Sequence, residues 1–145
     1  PLRGSFAVAK EQADAFTGAV AEVGPAAEHL RLSMLRMVYV AKDEADKREK
    51  VRLGYENHRR FTNVRETPGT VHGGAIVPVE DKNVSMEDVA SALIIGTADE
   101  VTDTLKKYAD VGIHDIQANF TFGAEHKDVM GSLERFAKDV MPHFA

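Results

Sequence analysis

The segment Leu30 to Ala41, LRLSMLRMVYVA, most constrains how this chain can fold. Its near-continuous apolar character and its β-formers read as a strand buried on both faces, the pattern of a parallel sheet rather than of a hairpin with one wet side. Such a strand needs neighbours and helices to cover it. Upstream, Leu2 to Phe6 is a short apolar stretch, and Ala9, Ala13, Phe16, Val20 and Val23 then lie on one helical face until Gly24 and Pro25 stop the helix. Downstream, Asp43 caps a charged helix reaching about Phe61, with Asp46 at its third position. Ser85 and Asp88 start a short helix, and Ala92 to Ile95 is a brief apolar turn. Thr97 and Glu100 form a capping box before a helix bearing Val101, Leu105 and Tyr108. Ile113 to Phe122 reads as a strand, and Val129, Leu133, Phe136 and Val140 give the buried face of a final helix closed by Pro142. This alternation predicts an α/β fold with parallel strands and right-handed crossovers.

Residues 62–84 keep no period. Pro68, Gly69, Gly73, Gly74 and Pro78 interrupt them, and the stretch reads as a long, mobile, lid-like loop. Three strands also leave two open sheet edges. A complete small α/β binding domain would need a fourth strand, for which Ala75 to Val79 is the candidate and Pro78 confines it to an edge.

Composition removes several functions. The 145 residues carry 18 Lys and Arg against 23 Asp and Glu, which gives no basic stripe for nucleic acid. No apolar run approaches the roughly 20 residues that span a bilayer. The absence of cysteine removes disulfides, thiolate metal sites and a cysteine nucleophile, and fits a reducing, cytoplasmic setting. The six histidines, His29, His58, His72, His114, His126 and His143, show no metal-helix spacing, so no metal site is expected. One soluble globular domain fits this length, whereas a complete eight-stranded β/α barrel takes roughly 250 residues.

The segment ALIIGTADEVTDTLKKYADVGIHDIQANFTFGAEHKDVMGSLERFAKDVMPHFA resembles the C-terminal end of bacterial luciferase-like, flavin-dependent monooxygenases. The likeness is carried by Ile95-Gly96-Thr97 with Glu100-Val101, the Gly112 turn into the last strand, and Phe136-Ala137 followed by Asp139-Val140-Met141-Pro142. LRMVYVAKDEADKREK is similar to the family's seventh strand and following helix, and Pro1 to Phe6 would match the sixth. The resemblance implies that residues 1–145 form one C-terminal segment, the last three β/α units of a TIM (β/α)8 barrel. Pro1 in place of an initiator methionine fits a processed N-terminus or a piece of a longer chain. It further implies reduced flavin mononucleotide (FMN), or in a sister branch a deazaflavin, together with oxygen, a small organic substrate and a separate flavin reductase. The isolated chain is expected to be inactive, and to form a homo-oligomer or pair with the strands it lacks.

Candidate site residues lie at strand ends, where barrel enzymes place their chemistry. Among Arg3, Ser5 and Phe6 after the first strand, Ser5 and Phe6 are the cofactor candidates, because the family places an aromatic near the flavin ring there; Phe6 is equally readable as a helix's first apolar anchor. Arg36 interrupts a buried strand and must be paired or face a polar cavity. Gln117, Asn119 and Thr121 alternate with apolar neighbours, so one face of the last strand is polar. His72, beside Gly73 and Gly74, completes the substrate-contact set of Arg36, His72, Gln117 and Asn119. The charge run Lys42 to Arg52 reads as a solvated face, and no residue qualifies as catalytic acid or base. A non-catalytic assembly module, pairing through open sheet edges, is the competing reading.

Overall fold

A computed structural model describes residues 4–80 and 82–144. Helix α1 (Phe6–Val23) leads to strand β1 (Ser33–Val40), and helix α2 (Glu44–Glu66) to a hairpin of two short strands, β2 (Val71–His72) and β3 (Ala75–Ile76). Helix α3 (Met86–Ala92), strand β4 (Ile94–Gly96), helix α4 (Ala98–Asp110), strand β5 (Asp115–Asn119) and helix α5 (His126–Arg135) complete the order. The caps read from the sequence are formed: Asp43 accepts from the Asp46 amide, and Ser85/Asp88 and Thr97/Glu100 make reciprocal boxes.

Strand β1 is central in a three-stranded parallel sheet of order β4-β1-β5. Alternate residues of β1 serve two different layers. Met34, Val38 and Val40 join Ile94, Val101, Leu105, Tyr108, Val129 and Val140 with Ala9 and Ala13 in one core, so α1, α4 and α5 cover this face. Met37 and Tyr39 join Ala41 and Phe122 in a second, smaller cluster packed by Leu53 of α2, Leu93 and Ile95. The expectation of a strand buried on both faces is thereby met, over 33–40 rather than 30–41. Each fully buried Val or Ile of this kind stabilises the fold by about 1.5–3 kcal/mol.

Several sequence expectations change. Gly4 and Ser5 form no strand and Phe6 opens a helix, while Leu2 and Arg3 lie outside the described residues. The sheet's third strand is instead Ile94–Gly96, whose three residues read as a turn because so short a strand shows no period. Three consecutive barrel units would stand in chain order with their helices on one side, whereas here the earliest strand is in the middle and helices lie on both sides. The sheet is therefore α/β with a small parallel core, and does not display a barrel. Leu133 is exposed although its spacing predicted burial, because Ser132 is held against β1 by the Val40 amide (2.8 Å) and turns the next residue outward.

The presumed loop 62–84 is partly ordered. Helix α2 runs five residues past Phe61, and Asn63, fully buried, ties the hairpin to it. The Asn63 Nδ2 donates to the carbonyls of Thr70 (2.9 Å) and Val77 (2.7 Å), while its Oδ1 accepts from the Thr70 amide (3.0 Å) and the Thr67 hydroxyl. Gly73 and Gly74 have φ of 56° and 80°, left-handed values that a two-residue hairpin turn demands. Ala75 and Ile76 thus pair antiparallel with this hairpin and add no strand to the parallel sheet.

Candidate functional site

In open α/β sheets a crevice forms outside the carboxyl ends of the strands, where neighbouring connections leave in opposite directions. Here that point lies between β1 and β5. Their pairing stops at Met37 and Asn119. Beyond it, side chains of α5 take the β1 backbone: Arg135 donates to the Val40 carbonyl through Nε (2.9 Å) and Nη2 (2.7 Å).

Around this end sits a buried charged cluster. The Lys50 ammonium bridges Asp46 (3.1 Å) of its own helix and Asp128 (2.7 Å) of α5, and lies 5.5 Å from the ring centroid of Tyr39. The Tyr39 hydroxyl donates to Asp46 Oδ2 (3.2 Å), which also accepts from the Lys42 amide (3.1 Å). The Lys50 and Asp46 side chains are only 6% and 4% exposed, so these bonds compensate a real desolvation cost. Burial, then the nearby Asp46 charge, pushes the Tyr39 phenol up to about 12. Burial alone would lower the Lys50 ammonium, yet the bonds to Asp128 and Asp46 hold it above the usual lysine range. Burial would raise Asp46, but the Lys42 amide, Lys50 and Tyr39 together keep it below the usual carboxylate range; Lys50 does the same for Asp128. At neutral pH the cluster is a cation held by two carboxylates under a neutral phenol. This arrangement suits fixing helices and holding charge, and offers no group poised to exchange a proton near pH 7.

Below the cluster, on the same sheet face, is a cavity of about 250 Å³. Met37 forms its sheet side, Gly54 and His58 its α2 side, and Val89, Ala92 and Leu93 its α3 side. Ser5 also lines it. Asp46, Lys50, Gly54 and His58 follow one another at four-residue steps, so one stripe of α2 serves both the charged end and the cavity.

The structure distributes the sequence-predicted residues over different places. Ser5 lies at the cavity without capping its own helix by a side-chain bond. Gln117 and Asn119 share the cavity's sheet face, where Asn119 is registered with Met37. Gln117 Nε2 donates to Ser33 Oγ (3.3 Å), and Asn119 Oδ1 accepts from the amide and hydroxyl of Thr121 (both 2.9 Å). Arg36 points to the opposite face, fully buried, with Nε donating to the Tyr108 hydroxyl (3.1 Å) and Nη1 to the Leu35 carbonyl (3.1 Å). Phe6 meets the same Tyr108 edge-on at 5.3 Å. His72 is exposed on the hairpin.

The Lys50 cluster was missed from sequence. Its helix reads as a solvated charged face, and Asp128 is 78 residues away; the one local signal is the Asp46/Lys50 pair at four-residue spacing just after a buried strand.

The cavity beside the Lys50 cluster does not take a whole flavin. The cavity falls below the roughly 300–1,000 Å³ typical of drug-sized ligand sites. Among the described helices, α2, α3, α4 and α5 carry acidic residues in the first turn, where a phosphate would be repelled, whereas α1, whose N-cap Ser5 lies at the cavity, carries none.

No family model matches the chain. Over 128 residues it is 29% identical to the flavin-dependent trigonelline monooxygenase, oxygenase component, of Acinetobacter baylyi (strain ATCC 33305 / BD413 / ADP1), a match covering 81% of this chain and 34% of that protein. The chain thus spans about a third of the length of the curated relative it matches, a distant homologue named as the oxygenase component of a flavin-dependent monooxygenase.

Proposed function

We propose that this chain is part of the oxygenase component of a flavin-dependent monooxygenase of the luciferase-like kind, acting with oxygen on a small organic substrate and supplied with reduced FMN by a separate reductase. The observation that carries the reading is the 29% identity over most of the chain to a named flavin-dependent oxygenase component. The C-terminal Ile95-Gly96-Thr97 and Asp139-Val140-Met141-Pro142 resemblance supports it. Because the cavity beside the Lys50 cluster does not take a whole flavin, the chain contributes one wall of the site, and segments outside it hold most of the cofactor. Ser5, Gln117 and Asn119 lie on the face offered to that site, Arg36 and Phe6 act through Tyr108 as positioning residues, and His72 stays exposed on the hairpin, apart from the cavity.

The test compares the 145-residue chain with a chimera in which it replaces the matching segment of the Acinetobacter protein. Anaerobic titration with reduced FMN and with a reduced deazaflavin is followed by oxygen uptake in the presence of a flavin reductase. The chimera is expected to bind reduced FMN and the isolated chain to bind neither cofactor tightly. Turnover by the isolated chain, or a folded chimera that binds no flavin, overturns the proposal; preference for deazaflavin moves it to the sister branch.

The assembly reading has one observation in its favour. Beside the open edge of β5 lies an apolar cleft of about 320 Å³ lined by residues such as Ile116, Ala118, Phe136 and Phe144. Light scattering tests it: a monomer at micromolar concentration removes the module, and a stable oligomer favours it when the chimera binds no flavin.

A further inference from the structure

The cavity beneath the Lys50 cluster is too small for a flavin, yet at about 250 Å³ it has room for a single aromatic ring, and it opens to solvent beside the exposed Asp88 and Ser91. Its inner surface is apolar and its polar groups are few. Met37, Val84, Val89, Ala92 and Leu93 provide the walls, and the Met37 thioether offers the polarisable sulfur that aromatic rings favour. The polar lining comes from Ser5, His58, Asp88 and Ser91. Asp88 is spent on Ser85, accepting from its amide (2.9 Å) and hydroxyl (2.7 Å), which keeps the carboxylate below its usual range and ionised. The Ser91 hydroxyl donates to the Asp88 carbonyl (2.7 Å) and retains its acceptor capacity, while the Ser5 hydroxyl is not used in capping α1. Among the described residues no Lys or Arg lines the space, and the ionised Asp88 carboxylate beside it disfavours an incoming anion.

Gly54 sets the width. A Cβ built on it would stand 2.5 Å from Leu93 Cδ1, so the absent side chain is what lets Leu93 lie against α2. Larger residues at position 54 therefore fill or displace this wall.

We infer that this cavity is a binding site for a single-ring aromatic molecule that is uncharged and bears one hydrogen-bonding group, the ring between Met37, Val89 and Leu93 and the polar group toward Ser5 and Ser91. The site is independent of the flavin reading: it requires only this chain's own residues.

The probe is phenol, titrated into the 145-residue protein carrying 13C-labelled methionine methyls, with benzoate as the anionic control. Met37 lines this cavity and Met141 the cleft beside β5, so the two methyls separate the sites. Saturable movement of the Met37 methyl with intermolecular NOEs from phenol, and weaker binding of benzoate, is the expected result. Movement of Met141 alone, of neither methyl, or equal binding of benzoate overturns the assignment. Gly54→Leu is expected to weaken phenol binding by about tenfold or more, a loss of roughly 1.4 kcal/mol. If that variant does not fold, the NOE pattern in the unaltered protein decides the matter.

Discussion

The two faces of the central sheet use the same strand in opposite ways. On one, Val38, Val40, Ile94, Val101 and Val140 close a core beneath α1, α4 and α5, and its buried Arg36 is bonded to a phenol and a carbonyl. On the other, Met37 and Tyr39 leave a cavity and a cation held by two carboxylates. Close packing gives the first face rigidity. The second carries the charged cluster with a cavity beside it, whereas the open space of the first is an apolar cleft at the β5 edge. The difference puts the charged cluster and its neighbouring cavity on the α2 side of the sheet, even though most of the described helices lie on the other.

The contrast can be broken most severely at Lys50. Lys50→Met leaves Asp46 buried without its cation, and urea unfolding is expected to show a loss of about 3–5 kcal/mol. A loss below about 1 kcal/mol, the range of exposed pairs, would make the cluster an ordinary surface feature. A smaller loss belongs to the opposite face. Tyr108→Phe removes the hydroxyl that accepts from Arg36 Nε, and about 1–3 kcal/mol is expected in the same assay. The smallest effect sharpens the comparison without mutation. Asp46 and Asp128 have lowered folded pKa values, so their stabilising contribution is full above the unfolded value of about 3.9 and disappears as pH falls through the lower folded values. Acid titration should therefore shift the Met37 methyl resonance before that of Met34, which packs on the other face. Simultaneous movement of both would show that the faces do not respond separately.

Local features of the fold were legible and long-range ones were not. Thr97/Glu100 and Ser85/Asp88 announce helix starts because a cap is an interaction across three residues. The buried character of β1 was equally plain, since it shows in the residues themselves. Strand order was not, because β1 could accept neighbours on either side and nothing in Ile94–Gly96 marks it as a sheet edge. Asn63 shows the same limit. Its polarity within a broken sequence suggested a loop, yet burial is favourable because one amide satisfies four bonds supplied by residues 67–77. Of the candidate site, the alternation of Gln117 and Asn119 revealed the correct shared face, while the direction of Arg36 depended on which layer Tyr108 entered.

That single amide has a consequence for how the molecule can be altered. With 23 residues, α2 is roughly 35 Å long, and Asn63 fixes the hairpin onto its final turns. The spacing from Asn63 to Thr70 is therefore a fixed ruler, in which a one-residue deletion misplaces the bonds to Thr70. The Gly73-Gly74 tip lies between Thr70 and Val77, where the pairs Val71–Ile76 and His72–Ala75 close the hairpin, so a foreign peptide grafted at the tip leaves both anchor carbonyls pinned.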